Sequence, residues 1–190
     1  GLEPNFGCCT ANFHQGWPKF AASLWMASED DGLVAAAYSP CHVRTIVGQT
    51  AVELVETTDY PFRETVRITI NPAAPISFPL RLRIPAWADG ATIHVNGEAQ
   101  PAPAPAAFAT VQRTWKRGDI VELRFPLTPK FVKGYKDSVS IDRGPLVFSY
   151  PIGESWVKLR DRGMTAVWQV FPSPQWRYAL AGGMENGTAL

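Results

Sequence analysis

Apolar and polar residues alternate along most of the chain, and the alternation is sharpest in two short runs. In Thr65-Val66-Arg67-Ile68-Thr69-Ile70 and in Leu80-Arg81-Leu82-Arg83-Ile84, every second residue is aliphatic and its neighbours are Thr or Arg. A period of two places one kind of side chain on each face of an extended backbone, so both runs predict strands with one packed and one solvated face. Similar runs, broken about every ten residues by Gly, Pro, Asp or Asn, predict eight strands, at 33–38, 42–47, 51–58, 63–71, 77–84, 92–96, 109–115 and 120–125.

The period changes near the start. Phe20, Leu24 and Trp25 fall at helical spacing and Pro18 suits a first helical turn, which predicts one helix over 17–27. The acidic, glycine-ended Ser28-Glu29-Asp30-Asp31-Gly32 ends it. Further on, Asn96-Gly97 predicts a tight hairpin, because both central residues of a type I′ turn need positive φ. Pro101-Ala102-Pro103-Ala104-Pro105 lacks the donors to pair in a sheet and is expected on a loop. The strand pattern lapses after Pro126 and resumes at 138–141 and 146–150, with Arg143-Gly144-Pro145 as the turn between them; beyond Trp156 only 166–171 suggests another strand.

Successive short strands without intervening helices predict a mainly β chain: an antiparallel β-sandwich preceded by one helix, with the start of a second β-sandwich behind it. The expected divisions are 1–30, 31–128 and 129–190. With 190 residues the chain is long enough to build its own core. A formal net charge of +1, with both signs interspersed, gives no electrostatic footprint for nucleic acid or an anionic membrane surface, and neither partner is expected. No run approaches the roughly 18 apolar residues of a membrane span. The opening Gly1-Leu2-Glu3-Pro4, without an initiator Met, leads to the expectation of a piece from a longer polypeptide, which leaves the compartment open.

Chemistry concentrates in Gly7-Cys8-Cys9-Thr10-Ala11-Asn12-Phe13-His14-Gln15. A thiolate is both a soft metal ligand and a strong nucleophile, and two side by side can grip one zinc ion, although the common zinc pattern separates its cysteines by two to four residues. Adjacent Cys8 and Cys9 read as well as small buried hydrophobes, with a vicinal disulfide a third and rarer option; the two-residue spacer of a redox pair is missing. Three cysteines, an odd number, do not form a secreted disulfide framework. His14 and Gln15 could hydrogen-bond a hydroxylated ligand or sit idle at a boundary. Cys41 reads as core. The seven tryptophans could stack on sugar rings but read as core. Glu53, Glu56, Glu64 and Glu122 read as a solvated face.

The double cysteine with Asn12, the helix after it and the run of strands resemble the β-L-arabinofuranosidases of glycoside hydrolase family 127; Arg83-Ile84-Pro85-Ala86-Trp87, Trp115-Lys116-Arg117-Gly118-Asp119 and Arg143-Gly144-Pro145 extend the resemblance along the chain. It implies that residues 1–30 end an (α/α)6-barrel catalytic domain and that the strands form the β-sandwiches behind it. It also implies a retaining hydrolysis of a carbohydrate substrate, an arabinofuranoside or related glycan, with Cys8 as nucleophile and a glutamate as acid and base. A zinc ion would be held by Cys8 and Cys9 with a further glutamate and cysteine, the remaining residues lying before Gly1, so that the fragment alone would be inactive. The alternative is a non-catalytic carbohydrate-binding or structural β-sandwich module.

Overall fold

The computed structural model describes residues 12–173. Cys8 and Cys9 lie outside the described residues. A 3-10 turn at Phe13–Gln15 leads into helix α1 (Gly16–Ala22), and fifteen strands follow among the described residues. The first ten are β1 (Trp25–Ala27), β2 (Leu33–Ala35), β3 (Cys41–Val47), β4 (Thr50–Thr58), β5 (Thr65–Pro72), β6 (Ile76–Ile84), β7 (Thr92–Val95), β8 (Glu98–Ala99), β9 (Ala107–Trp115) and β10 (Asp119–Arg124). They form a four-stranded sheet in the order β1-β2-β6-β9 and a six-stranded sheet in the order β3-β4-β5-β10-β7-β8. All pairs are antiparallel except β2 with β6, which run parallel through Leu33–Leu80 and Ala35–Leu82. The chain is therefore mainly β and antiparallel, as the alternation predicts.

The core follows from the period of two. Val52 and Leu54 of β4, Val66, Ile68 and Ile70 of β5, Val121 and Leu123 of β10, and Ile93 and Val95 of β7 are buried. Phe78, Leu80, Leu82 and Ile84 of β6 and Trp115 of β9 join them in one cluster. Each such side chain contributes about 1.5–3 kcal/mol by leaving water. Trp115 satisfies its indole N–H on the Phe78 carbonyl at 3.0 Å, so the largest core residue carries no orphan donor. The turn after it is held by Asp119, whose carboxylate accepts from the Lys116 N–H at 2.8 Å. The Trp115–Asp119 motif is thus a packing and turn device.

The helix differs from expectation. It stops at Ala22, and Trp25–Ala27 is a strand paired with β2. Helical spacing at Phe20, Leu24 and Trp25 is overridden because α1 has no buried residue to hold a longer helix. Leu24 instead turns into the core at 6% exposure, and its carbonyl accepts from Ala36 N–H at 2.9 Å. At the β7–β8 turn, Asn96 and Gly97 have φ of 52° and 84°, the positive pair that a type I′ hairpin requires. The Pro-Ala tract lies outside the strands.

The chain divides into two compact units, the sandwich with residues 143–146 in one and, among the described residues, 129–142 and 147–173 in the other. Past the sandwich, β11 (Pro129–Lys133), β12 (Val139–Arg143) and β13 (Leu146–Phe148) form a three-stranded sheet, and β14 (Glu154–Asp161) pairs with β15 (Ala166–Pro172). Both β11 and β14 fall where the sequence shows no readable alternation. In the β14–β15 ribbon Trp156 and Trp168 meet edge to face at 6.1 Å, with Lys158 over the Trp168 ring.

Gly144 sits in the turn between β12 and β13 with φ of 61°, and a Cβ there would overlap the Leu127 side chain and come within 3.2 Å of the Trp87 ring. Both strain and overlap oppose any side chain. Gly144→Ala is expected to lower unfolding free energy by about 2 kcal/mol or more in urea titrations, whereas a loss below about 0.5 kcal/mol would show that the turn shifts freely.

Candidate functional site

Among the described residues, the group least at home in its surroundings is a carboxylate. Along β4 the inward positions are Val52, Leu54 and Glu56, so the same alternation that builds the core carries a glutamate into it. Glu56 is only 2% exposed. This corrects its assignment to a solvated face: the register Val52-Leu54-Glu56 already signals burial, and the neighbouring Thr and Arg residues mask it.

Its partners come from three segments. Trp25 on β1 donates its indole N–H to Oε2 at 2.9 Å, and the Ser39 backbone N–H donates to Oε1 at 3.0 Å. The Cys41 thiol on β3 approaches Oε2 at 3.8 Å. Because β1 belongs to one sheet and β4 to the other, the Trp25 bond ties the two sheets together. Burial pushes the Glu56 carboxyl up to about 7, with the Trp25, Ser39 and Cys41 hydrogen bonds opposing it. The Cys41 thiol is pushed up to about 11, mainly by burial and also by the negative charge of Glu56. Cys41 is half-buried, free of any disulfide and a poor thiolate, so it suits neither nucleophilic attack nor metal ligation.

The other glutamates assigned to a solvated face, Glu53, Glu64 and Glu122, are not buried. Glu53 bridges His42 at 2.7 Å and Arg44 at 3.2 Å, and these bonds lower its pKa. Glu64 is lowered by the Leu127 N–H and by Arg124, and Asp30 is held well below the usual carboxylate range by Arg81 and Ser28. His14 is exposed, and Gln15 donates to Asn12 at 2.7 Å. Of the tryptophans, Trp115 is fully buried and Trp25 and Trp87 pack against the core. Trp17, Trp156 and Trp168 are exposed, and Trp176 lies outside the described residues. Among the described residues no three His, Cys, Asp or Glu side chains gather to hold a metal ion, and no helix is long and apolar enough to cross a membrane.

A family model described as β-L-arabinofuranosidase, GH127 middle domain, matches residues 32–127, the stretch from the start of β2 past the end of β10. The chain belongs to this family. Three solved structures share the fold of the GH127 chain. One is a GH127 β-L-arabinofuranosidase from Geobacillus stearothermophilus T6, with a TM-score of 0.68 and 23% identity over 94% of this chain. A second, described as a glycoside hydrolase, has a TM-score of 0.69 and 29% identity over 75% of this chain. The third, a GH127 β-arabinofuranosidase, has a TM-score of 0.67 and 20% identity over 87%. The chain spans 32%, 25% and 32% of the lengths of these relatives. No curated protein matches it in sequence.

Within this GH127 middle domain, two measurements test the buried cluster. The folded state keeps the Glu56 proton where the unfolded chain, near the ordinary value of 4.5, has released it. Stability from this group is fully present below that value and is lost as pH rises through about 7, a loss on the order of 3 kcal/mol. Asp30, Glu53 and Glu64 act oppositely, their contribution being lost as pH falls through the acid range. Urea titrations are expected to show stability declining from about pH 5 to pH 8, with the decline largely abolished in Glu56→Gln; a flat wild-type profile would mean that Glu56 stays ionised in the fold.

With Cys8→Ser and Cys9→Ser in place, Cys41 is the sole thiol. Its alkylation by iodoacetamide at pH 8 is expected to be about 10–100-fold slower than that of an unstructured cysteine peptide, and equal rates would contradict the raised pKa.

Proposed function

We propose that this chain is part of a retaining glycoside hydrolase acting on β-L-arabinofuranosides or a closely related glycan, with Cys8 as the nucleophile. The observation that carries this reading is membership of the GH127 middle-domain family over residues 32–127, with the adjacent thiols of Cys8 and Cys9 just ahead of the matched stretch. The donor set suits a zinc ion, since two thiols offer the soft sulfur ligands that zinc prefers. Cys41 is not among them: it packs beside Glu56 with a raised pKa. Cys8 and Cys9 would hold the ion, with further ligands from outside the described residues. Bound there, zinc supplies a thiolate at neutral pH by lowering the pKa of its sulfur ligands.

The Cys8 sulfur forms a bond to the anomeric carbon as the glycosidic C–O bond breaks, and the leaving oxygen takes a proton from a glutamic acid. Water then displaces the sulfur while the same glutamate accepts its proton, and two inversions give net retention. That glutamate is expected outside this chain. Among the described residues the buried carboxylates are Glu56 and Asp119, and both are engaged within the sandwich. The sandwich acts as a buttress: the Trp25–Glu56 bond fixes the polypeptide soon after it leaves α1.

With an aryl β-L-arabinofuranoside, the 190-residue chain alone is expected to show no turnover. The intact enzyme that contains it should hydrolyse the substrate with retention. In that enzyme Cys8→Ser should lower kcat by about 10³-fold or more, while Cys41→Ser changes it by less than about 3-fold. Turnover by the chain alone, or near-normal activity in Cys8→Ser, would overturn the reading.

A further inference from the structure

The solvent-facing side of the six-stranded sheet carries a cavity of about 350 Å³ lined by Arg67, His94, Asn96, Gly97, Ile120 and Glu122. Three of these come from adjacent strands in one row: Arg67 on β5 is opposite Glu122 on β10, which is opposite His94 on β7. Alternation turns all three outward, and antiparallel register brings them abreast. The far rim is the β7–β8 turn. It is fixed because the Asn96 side chain donates to Asp119 at 2.9 Å and accepts from the Ile120 N–H at 2.8 Å. Gly97 adds no side chain to that rim, and Ile120 gives the cavity an aliphatic wall.

The ion pair here is open, as is Arg113–Asp119 at 3.9 Å, but the Asp119 carboxylate is already taken by Lys116 N–H and Asn96. Asp30, Glu53 and Glu64 are closed by Arg81, Arg44 and Arg124 at 2.6, 3.2 and 2.8 Å, within hydrogen-bond range. Arg67 stands 3.6 Å from Glu122, too far for a hydrogen bond, and the two side chains are 49% and 46% exposed. A carboxylate with acceptor capacity left and a guanidinium with donors left therefore face one concavity.

We propose that this cavity is a binding site for a neutral saccharide. One cation beside one anion gives no net attraction for a charged ligand. Neighbouring sugar hydroxyls, each both donor and acceptor, match the pair: Glu122 accepts from one, Arg67 donates to the next, and His94 supplies a third polar contact. The sugar's C–H face meets Ile120. The site lies on the sandwich, is independent of the chemistry assigned to Cys8, and would hold a glycan without cleaving it.

The test is titration of the ¹⁵N-labelled full chain with L-arabinose and methyl β-L-arabinofuranoside, followed by amide resonances. Saturable shifts are expected at His94, Ile120 and Glu122, with a Kd on the order of 1–10 mM. Arg67→Ala and Glu122→Ala should each weaken binding about 5-fold or more, with the remaining spectrum unchanged. Arg44→Ala, on the same face but outside the cavity, should have no effect. Galacturonate and glucosamine, which carry charge, should bind less well. Absence of saturable shifts, indifference to the two variants, or stronger binding of a charged sugar would each overturn the proposal. None of these outcomes depends on whether Cys8→Ser abolishes hydrolysis.

Discussion

A single carboxylate at the inward face of β4 governs how this sandwich closes. Elsewhere the two sheets meet through aliphatic and aromatic side chains that tolerate small shifts. Glu56 does not: both oxygens are occupied, one by the Ser39 N–H and the other by the Trp25 indole. A buried acceptor that loses a partner costs about 1–3 kcal/mol, so β1, the loop before β3 and β4 are held in one mutual arrangement. The short edge strand β1 has only three residues and one antiparallel partner, β2, to hold it, which makes the Trp25 bond a large share of its anchoring.

The same group explains why the chain's thiols part company. Cys41 has a half-buried position and a negative neighbour, and both raise its pKa, so its sulfur behaves as a small hydrophobe. Under the proposed function, Cys8 and Cys9 would experience the reverse, a cation that lowers the pKa. Under that proposal, burial and the local charge together would sort identical side chains into structural and reactive roles.

Much of the fold was legible because alternation is a local signal. The runs at 65–70 and 80–84 specify both strand and face, and Asn96-Gly97 specifies a turn, without reference to anything distant. The helix end was not legible, since what stops α1 is the pairing of Trp25 with Ala35 and the burial of Leu24, both long-range events. Glu56 was half legible: its register predicts burial, while its partners at 25, 39 and 41 are set only by the tertiary fold. The Cys8-Cys9 stretch, conspicuous in sequence, lies outside the described residues.

Register across strands is the part of a β-protein that sequence conceals most effectively, and the outer face of the six-stranded sheet shows why this matters for function. Arg67, His94 and Glu122 are separated by 27 and 28 positions (94 − 67 and 122 − 94), and each alone reads as an ordinary solvated residue. Only the pairing of β5 and β7 on either side of β10 brings them into one row. The same face holds Glu53, which its register places beside Arg44 and within reach of His42, and there the charges close on one another. Equivalent residue types thus give a satisfied ion cluster on one strand pair and an open donor and acceptor pair on another. The difference is one of ångströms fixed by register, and it is what leaves donor and acceptor capacity open at Arg67 and Glu122 while the Glu53 cluster is closed.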